Sequence, residues 1–454
     1  MLSTITSTKA TPVVNLKAAQ STVTQILPID DESKTGPSTE QCLETESRYC
    51  MEGMASHPIV MERGQGSLLW DIDGKRYIDF NAGMGSCNQG HCHPKIAQAM
   101  IEQCQTLTMP SRNVHVQQCG EFCRKICEIT GFDKVGLGSS GAEAVDLAVK
   151  VARAWGYKVK GIEEDKALVL AVTSNYHGRT LSVLSGSTNE AYRANCGPWM
   201  PNIGPYCAGN EVRFNVIEDL EKAFQIRGHE IAGFMIEAIQ GQNGCQPASN
   251  EYLLQVRELC NRYNVLFICD EIQSGLGRSG EWFSYQASGV KPDMVVLGKS
   301  LSGGLFPISG VSGKKEAMDC LTGDQYGSTF AGNPLACAVG IAALDVIIEE
   351  DLPARAAHLG EAFTQRCSAI KSPHFDGVSG RGLFRSMWIN ENHPQGRITA
   401  QKVAKLCVQR GLLVNASGRR LRTCPALNID EDLMIQGLDI IEKALVDLEE
   451  MDFE

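Results

Sequence analysis

The sequence predicts an α/β fold in which helices cover a largely parallel β-sheet. Two short apolar runs, at residues 265–269 and 294–297, consist of Val, Leu, Ile, Phe, Cys and Met. Runs of this length and composition are typical of parallel strands that are buried on both faces. The segment 137–155 instead places its apolar residues at helical spacing. Buried strands combined with such helices indicate the α/β class.

The size and charge of the chain narrow the possible functions. Its 454 residues are enough for roughly three average domains or for one large enzyme with two parts. Apolar residues make up 43% and charged residues 21%, which is ordinary for a globular protein. The net charge of −11 argues against a general nucleic-acid partner. A membrane partner is not expected either, since no apolar run approaches the length of about 18 residues that a spanning helix needs.

Residues 1–35 are expected to form a disordered tail. They are rich in Ser and Thr, and their first acidic residue is Asp30. A mitochondrial transit peptide is also Ser-rich and poor in acidic residues, but it is rich in arginine, and the first arginine here is Arg48. A cytoplasmic and a mitochondrial-matrix location therefore both stay open.

The cysteine content predicts reduced thiols rather than a disulfide framework, because 18 cysteines are spread over a large chain without a secretory signal. Cys119, Cys123 and Cys127 lie four residues apart, on one face of a predicted helix. A metal or redox cluster is one interpretation, but we favour small apolar side chains that pack inward. The His-Cys-His run at residues 91–93 also suggests a metal site. Adjacent residues do not easily converge on one ion, however, and Pro94 indicates a helix start, so no metal site is predicted.

The first predicted element after the tail is a β-hairpin within residues 67–80. Alternating apolar residues lie on both sides of Asp73-Gly74, a dipeptide that favours the tight turn between antiparallel strands. A Gly-rich loop at residues 81–93 follows and leads to a helix that begins at Pro94.

The helix predicted in segment 137–155 has a distinctive start. Ser140 and Glu143 are spaced as a capping box, in which the serine hydroxyl accepts the amide of Glu143. This arrangement leaves the amides of Gly141 and Ala142 free, and a helix N-terminus with free amides binds phosphate. Gly141 also permits the close approach of a ligand. The alternative is a helix that is merely capped.

Four predicted strands end at residues that can carry chemistry: Tyr176, Glu237, Asp270 and Lys299. Ligands of open α/β sheets bind beyond the carboxyl ends of the strands. A partly buried lysine there is a candidate Schiff-base nucleophile, because burial disfavours the ammonium form. Pyridoxal phosphate (PLP) needs such a lysine on its aldehyde and a carboxylate on its pyridinium nitrogen. The alternative is an ordinary ion pair between Asp270 and Lys299 at the edge of the sheet.

The segments around this predicted site, residues 270–280 (DEIQSGLGRSG) and 298–304 (GKSLSGG), resemble the cofactor-binding signature of the class III, ornithine-type aminotransferases. The resemblance covers roughly residues 40–445. It implies a PLP-dependent transferase of fold type I, with a large domain built on a mainly parallel seven-stranded sheet flanked by helices and a smaller α+β domain formed from both termini. The implied parts are a tail at 1–35, an N-terminal arm at 36–96, a large PLP-binding domain at 97–345 and a small C-terminal domain at 346–454.

The resemblance also implies roles for individual residues. Lys299 would bind the cofactor's aldehyde and then act as the general base of the proton shift, and Asp270 would keep the ring nitrogen protonated. Thr329 would reach the cofactor phosphate of the partner subunit, which implies a homodimer with shared active sites. A plain helix N-cap is the alternative for Ser328 and Thr329. The implied cofactor-binding residues are Ser140, Gly141, Ala142, Tyr176, His177, Glu237, Asp270, Gln273, Lys299, Ser328 and Thr329.

The implied reaction transfers the δ-amino group of ornithine to 2-oxoglutarate by a ping-pong mechanism and yields glutamate 5-semialdehyde and glutamate. Arg179 and Arg422 would each hold a substrate carboxylate, a task that suits the bidentate guanidinium group. The other arginines of segment 410–428 are expected to be solvated. Arg422 favours transamination over the decarboxylases, racemases, mutases and phospho-lyases of the same fold, which have less need of a second carboxylate site.

Three positions differ from the ornithine-type pattern. Ser56 and Met84 stand where the family has tyrosines that bind one end of ornithine, and Gln242 stands where it has a glutamate that pairs with the second arginine. A site with fewer hydroxyl donors discriminates less between substrates. We therefore expect relaxed donor choice, with N-acetylornithine and 4-aminobutyrate as additional donors. A non-catalytic cofactor-binding protein and a thiol-rich metal-binding protein are the remaining, distant alternatives.

Overall fold

The computed structural model describes residues 36–51, 57–111, 113–392 and 398–450. The chain divides into two compact units, one that ends at Val60 and one that begins at Met61. The tail predicted at residues 1–35 lies outside the described residues, and the other predicted domain boundaries stay predictions. Among the described helices, none is both long and apolar enough to cross a bilayer.

The described part of the first unit contains one helix, α1 (Thr39–Tyr49). A capping box starts it, because the hydroxyl of Ser38 accepts the amide of Gln41 and the side chain of Gln41 accepts the amide of Ser38. No side chain of this helix is buried. Its polar surface agrees with a segment that contributes little to a hydrophobic core.

The second unit combines helices and strands along its whole described length. Its helices are α2 (Ala82–Gly85), α3 (Pro94–Thr106), α4 (Gln117–Thr130), α5 (Gly141–Trp155), α6 (Leu181–Leu184), α7 (Glu190–Arg193), α8 (Ile217–Arg227), α9 (Asn250–Arg262), α10 (Lys315–Met318), α11 (Pro334–Glu349), α12 (Leu352–Ser368), α13 (Ala400–Gln409) and α14 (Glu431–Glu450). Its strands are β1 (Met61–Gln65), β2 (Leu68–Asp71), β3 (Arg76–Asp79), β4 (Lys134–Gly138), β5 (Leu168–Leu170), β6 (Ile203–Gly204), β7 (Tyr206–Cys207), β8 (Asn210–Glu211), β9 (Ile231–Ile236), β10 (Ile239–Gln240), β11 (Gln246–Pro247), β12 (Leu266–Asp270), β13 (Met294–Leu297), β14 (Ser309–Gly313), β15 (Phe375–Arg381), β16 (Phe384–Ile389), β17 (Leu412–Leu413), β18 (Asn415–Ser417) and β19 (Arg420–Thr423).

The centre of the second unit is a seven-stranded sheet with the strand order β4-β14-β13-β12-β9-β5-β6. Neighbouring strands are parallel except at β14, which runs antiparallel to both β13 and β4. The prediction of a mainly parallel seven-stranded sheet is therefore confirmed. Every residue of β9, β12 and β13 is buried, which is why these strands read as continuous apolar runs in the sequence.

Two hydrophobic cores hold this sheet between them. On one face, Ala148 and Ala152 of α5 belong to the same buried cluster as Ile268. On the other face, Phe234 and Phe267 belong to a larger cluster that extends to the C-terminal helices. Because successive residues of a strand point to opposite faces, Phe267 and Ile268 serve different cores. This packing on both sides fixes the positions at which the strands end.

Segments from the beginning and the end of the second unit meet in a second sheet, with the order β1-β2-β3-β17. β17 runs parallel to β3 and places Leu412 opposite Ile78. The hairpin predicted around Asp73-Gly74 is confirmed by the antiparallel pair of β2 and β3, and Gly74 has a φ of +83°, a value that glycine adopts easily. A third, antiparallel sheet with the order β15-β16-β19-β18 carries Arg422.

Arg278 joins three parts of the second unit at one buried point. Its side chain is fully buried, and it donates hydrogen bonds to the side chain of Asn88 and to the carbonyls of Leu383 and Pro425. Asn88 donates in turn to the carbonyl of Leu276 at 2.9 Å. Burial lowers the pKa of Arg278 to about 10, yet oxygen acceptors on several sides compensate for the buried charge. These hydrogen bonds connect the loop that follows β12 to segments near the beginning and near the end of the second unit.

Candidate active site

Lys299 and Asp270 follow neighbouring parallel strands at the same edge of the central sheet. Asp270 ends β12 and lies opposite Val296 of β13, three residues before Lys299. Lys299 opens a short 3-10 turn and has a φ of +48°. Residues other than glycine rarely adopt this left-handed conformation, and it is often found at functional sites. Both side chains thus start from the carboxyl ends of adjacent strands.

The amine of Lys299 can lose its proton at a pH not far above neutral. Its pKa is lowered to about 8, mainly by burial of the ammonium group and also by the positive charge of Arg422, whereas the carboxylates of Asp270 and Glu237 oppose this shift. The neutral amine is the form that attacks an aldehyde. Lys299 therefore has the protonation behaviour that a covalent cofactor link requires.

We expect the rate at which cofactor-free protein takes up PLP to rise with pH, with a midpoint near the Lys299 pKa of about 8. Below this pKa the amine is protonated and cannot attack the aldehyde, and above it the amine is neutral. Stopped-flow absorbance between about pH 6 and pH 10 would give the profile. The Lys299→Ala variant is the control and should lack the pH-dependent phase. A midpoint at the ordinary lysine value of 10.5 would contradict this expectation.

Asp270 and His177 form a buried pair. Oδ2 of Asp270 lies 2.7 Å from Nδ1 of His177, and Oδ1 accepts the amide of Ile272 at 3.0 Å. Burial acts to lower the pKa of His177, but the hydrogen bond to Asp270 and its charge outweigh burial and raise it. The short contact with Asp270 therefore favours the protonated form of the His177 imidazole.

Glu237 is a second buried carboxylate beside this pair. Its Oε1 accepts the amide of Tyr176 at 2.7 Å and its Oε2 accepts the amide of Gly241 at 3.3 Å. Burial raises the pKa of Glu237 to about 7, a shift that His177 opposes and Asp270 reinforces. The strand ends that carry Tyr176, Glu237 and Asp270 are therefore linked by backbone contacts and by charge.

Gln273 lies against Gly241, a residue that the sequence analysis did not single out. A Cβ atom on Gly241 would lie 1.7 Å from Oε1 of Gln273, so any larger residue would displace the Gln273 side chain. Oε1 of Gln273 is buried and has no hydrogen-bond partner among the described residues. An unpaired buried acceptor is costly, and its presence at this place indicates a site that is completed by a ligand.

The start of α5 differs in one detail from its prediction. The hydroxyl of Ser140 accepts the amide of Glu143 at 3.2 Å, as the capping box requires. The carboxylate of Glu143, however, accepts the amide of Ser139 at 2.6 Å and not that of Ser140, because the preceding turn brings Ser139 closer. The amides of Gly141 and Ala142 have no acceptor among the described residues, which leaves the N-terminus of a 15-residue helix open to an anion.

The loop before α11 places Ser328 and Thr329 near that helix start. The hydroxyl of Ser328 donates to the carboxylate of Glu143 at 3.2 Å, and Thr329 is exposed. The N-cap of α11 is Asn333, whose side chain accepts the amide of Ala336 at 2.9 Å. The alternative that Ser328 and Thr329 merely cap a helix is therefore wrong, because three residues separate Thr329 from the cap.

Tyr176 and Arg179 meet at a third side chain, Tyr192, which the sequence analysis missed. The rings of Tyr176 and Tyr192 pack edge to face with centroids 6.1 Å apart. The Arg179 guanidinium lies 4.2 Å from the centroid of Tyr192 and is exposed. Cation–π contact with Tyr192 orients Arg179 without neutralising it. Tyr192 lies on α7, and no sequence pattern predicts that this helix packs next to Tyr176.

Arg422 points from the antiparallel sheet of the C-terminal part into the interior. It is 5% exposed, and its guanidinium carbon lies 5.8 Å from the ring centroid of Phe384. Its Nε and Nη2 atoms are buried and have no hydrogen-bond partner in the described part of the chain. It is close enough to Lys299 for its charge to lower the lysine pKa. An unpaired buried guanidinium is a ready partner for a carboxylate.

The positions that depart from the ornithine-type pattern lie in different surroundings. Met84 has a φ of +59° and is 42% exposed, and its sulfur accepts a hydrogen bond from Nδ2 of Asn415 at 3.3 Å. The carbonyl of Gln242 accepts a hydrogen bond from Arg420. Ser56 lies outside the described residues, so its predicted role stays a prediction.

Arg420 corrects the expectation that the arginines near Arg422 are solvated. It is half-buried, and its guanidinium carbon lies 5.4 Å from the ring of Trp388. The same ring excludes any side chain at Gly244, where a Cβ atom would lie 2.5 Å from it. Arg420 therefore clamps the loop that carries Gln242 against the C-terminal sheet. The exposure of Arg420 could not be predicted from the sequence, because β19 is too short to show a periodic pattern and its partner strand is remote in the chain.

The cysteine and histidine clusters have partners within the protein. Cys119 and Cys123 are half-buried and pack against the hydrophobic core. His91 bonds the carboxylate of Asp79 at 2.7 Å, whereas His93 bonds Glu350 at 2.9 Å. Within the described ranges, no group of three or more His, Cys, Asp or Glu side chains is arranged to hold a metal ion.

Comparison with known proteins identifies the fold and the family. Residues 50–445 match the family described as Aminotransferase class-III. The chain belongs to the class III aminotransferases. An ornithine aminotransferase of Emericella nidulans is 40% identical over 414 residues, which are 90% of this chain and 91% of the relative.

Solved structures agree with this family. The ornithine aminotransferase from Toxoplasma gondii matches with a TM-score of 0.86 at 36% identity, over 92% of this chain and 97% of that chain. The acetylornithine aminotransferase from Elizabethkingia anophelis matches with a TM-score of 0.81 at 36% identity, over 91% of this chain and 100% of that chain. The enzyme is thus an ornithine-aminotransferase-like transaminase of fold type I that acts on a small amino donor and a small acceptor.

PLP is the cofactor of this class III aminotransferase, and a further structure of the Toxoplasma gondii enzyme has PLP at its active site. The residues of this chain fit the cofactor. Lys299 has a lowered pKa, Asp270 is a buried carboxylate, and the amides of Gly141 and Ala142 lack acceptors. These groups match the aldehyde, the pyridinium nitrogen and the phosphate of PLP, respectively.

Proposed function

We propose that this enzyme transfers the δ-amino group of ornithine to 2-oxoglutarate and that it also accepts related ω-amino donors. One observation carries the proposal: the buried Arg422 lacks acceptors on Nε and Nη2 and lies close to Lys299. A dicarboxylic oxo acid needs such a cation for the carboxylate next to its reacting carbon. The 40% identity to an ornithine aminotransferase supports ornithine as the donor type.

Lys299 and Asp270 would carry out the chemical steps of the reaction together with the cofactor. PLP supplies an electron sink for the negative charge that develops on the substrate carbon. The neutral amine of Lys299 would bind the aldehyde and, once the substrate amine displaces it, would move a proton as general base. The Asp270 carboxylate, held by His177 at 2.7 Å, would keep a proton on the ring nitrogen.

The remaining residues would hold the cofactor and the two substrates. Tyr176 would stack on the ring, and Gln273 would bond its phenolic oxygen. Arg179 would take the carboxylate remote from the reacting carbon and Arg422 the nearer carboxylate of the oxo acid. The phosphate would bind at Ser140, Gly141 and Ala142, with Ser328 close to that helix start. These assignments rest on the positions described above together with the family resemblance.

We further propose a homodimer in which Thr329 reaches the cofactor phosphate of the partner subunit. Its neighbour Phe330 is 60% exposed, and aromatic side chains are enriched in subunit interfaces relative to the rest of the surface. Sedimentation velocity should show a dimer for the wild-type enzyme and a monomer with weakened PLP binding for Phe330→Asp. The control Ile226→Asp changes another exposed apolar residue and should leave the dimer intact. A monomeric wild-type enzyme would rule the proposal out.

The donor range is tested by half-reactions with ornithine, N-acetylornithine and 4-aminobutyrate. Each accepted donor should remove the visible absorbance of the lysine-bound cofactor, and we expect all three to do so at comparable rates. N-acetylornithine and 4-aminobutyrate are included because Met84 replaces a tyrosine that binds ornithine in the family, and Gln242 replaces the glutamate that pairs there with the second arginine. A preference for ornithine of about a hundredfold or more in kcat/KM would refute relaxed donor choice. Failure of every donor would refute the proposed function.

Gln242→Glu is expected to increase the preference for ornithine over 4-aminobutyrate about tenfold, because an added negative charge in the site favours ornithine, which carries a second ammonium group that 4-aminobutyrate lacks. The ratio of kcat/KM values for the two donors measures this effect. Gln246→Glu, a half-buried position four residues further on, is the matched control and should leave the ratio unchanged. An unchanged ratio in Gln242→Glu would show that position 242 does not govern donor choice.

A further inference from the structure

The antiparallel pairing of β16 and β19 puts Cys424 beside Arg422. Arg422 lies opposite Ser386, Thr423 ends β19 opposite Arg385, and Cys424 follows directly, two residues after Arg422. Residues two apart on a strand share a face, and residues opposite each other in an antiparallel pair point to the same side. The thiol of Cys424 and the guanidinium of Arg422 are therefore neighbours on the inner face of this sheet.

The contacts of Cys424 agree with this position. It is 2% exposed and shares a small buried cluster with Cys245 and Phe384. The Phe384 ring also lies 5.8 Å from the Arg422 guanidinium carbon. The Cys424 thiol lies close enough to the Arg422 guanidinium to help raise the pKa of Arg422 against the effect of burial. Cys245 is already engaged, since its sulfur accepts the hydroxyl of Ser386 at 3.4 Å.

The charge of Arg422 has no carboxylate partner. Within the described ranges, no Asp or Glu forms an ion pair with it within 4.0 Å, and its Nε and Nη2 lack acceptors. Gln242, which could offer a side-chain oxygen, is neutral, and its carbonyl is bonded by Arg420. A neutral sulfur is a weak acceptor, so it can orient a guanidinium without competing strongly with a substrate carboxylate.

We propose that Cys424 is a positioning residue that orients Arg422 while leaving its positive charge open to the carboxylate next to the reacting carbon of the oxo acid. This inference rests on the proposed function, because it assumes that Arg422 binds a substrate carboxylate. A carboxylate at position 424 would instead form an ion pair that the substrate must break. The thiol thus keeps the arginine available for an acceptor that carries a carboxylate at this end.

The test uses the PLP-loaded enzyme and glutarate, a dicarboxylate with neither an amine nor an oxo group. Its Kd is measured by isothermal titration calorimetry, and the KM for 2-oxoglutarate is measured in parallel. We expect Cys424→Ala to raise both values about fivefold with little change in kcat, through loss of the polar neighbour that orients the Arg422 guanidinium. Cys424→Ser keeps a neutral acceptor and should restore the wild-type values. Cys424→Asp should raise the Kd by more than about tenfold, because its carboxylate occupies Arg422.

Cys367→Ala is the matched control, since Cys367 is equally buried but lies on α12 outside this cluster. It should leave both constants unchanged, and thermal unfolding would confirm that every variant is folded. Wild-type glutarate affinity in folded Cys424→Ala or in folded Cys424→Asp would overturn the inference. If the wild-type enzyme neither binds glutarate nor uses 2-oxoglutarate, the proposed function itself fails. If the wild-type enzyme turns over normally and the Cys424 variants keep the wild-type Kd for glutarate and KM for 2-oxoglutarate, only the role of Cys424 is refuted.

Discussion

Lys299→Ala is expected to lower the amino-transfer rate by about 10⁴-fold or more, because it removes both the nucleophile and the general base of the reaction. The amine of Lys299 has a pKa lowered to about 8, and no other lysine follows a strand at this edge of the sheet in the described ranges. Single-turnover absorbance with ornithine measures the rate. The variant should still bind PLP weakly through the start of α5 and the ring contacts, which equilibrium dialysis would detect.

Lys314→Ala is a suitable control for Lys299→Ala. Lys314 lies in the turn after β14, and its amine is paired with Asp293 at 2.5 Å. This variant should keep wild-type turnover. Retention of more than about a hundredth of wild-type turnover in Lys299→Ala would show that another group performs the proton transfer.

Asp270→Asn is expected to lower kcat/KM by about 10²- to 10³-fold, the usual range when a charged or polar partner of a developing charge is removed. Asparagine keeps the size of the side chain and an oxygen for the amide of Ile272, now 3.0 Å from Oδ1. It loses the negative charge that would hold a proton on the ring nitrogen. Steady-state kinetics gives the effect, and the absorbance of bound PLP reports the protonation of the ring.

Asp293→Asn makes the same chemical change at another buried aspartate. Asp293 precedes β13, at the opposite edge of the sheet, and is paired with Arg257 at 2.8 Å. We expect a lower melting temperature and near-normal kcat/KM, since this pair supports the fold away from the site. If the two variants lost activity equally, the effect of Asp270→Asn would be structural rather than electrostatic.

Much of the fold followed from local pattern. The runs that became β12 and β13 are apolar throughout because both faces of the central sheet are covered. The cap at Ser140 and the hairpin at Asp73-Gly74 were readable because their signals span only a few residues. Each of these features depends on neighbours in the chain.

Other features of the site could not be predicted from local sequence patterns. Tyr192 lies beside Arg179, Gly241 lies beside Gln273, and the Arg420 guanidinium lies beside Trp388. These contacts join separate elements, and their partners are set by how loops fold over the sheet. The partner of Glu143 also changed, because the carboxylate reached the amide of Ser139 instead of that of Ser140.

By itself, the sequence determined the α/β class, the positions at which Asp270 and Lys299 follow their strands, and the family to which the chain belongs. It did so because strand burial and the cofactor motifs are written in contiguous residues. Only the tertiary structure decided that Arg422 lacks a carboxylate partner, that His177 holds Asp270, and that Cys424 lies beside Arg422. Those facts depend on which remote strands pair and on which side chains are buried. Both shift pKa values and decide which hydrogen-bond donors find an acceptor, and no local sequence pattern encodes either.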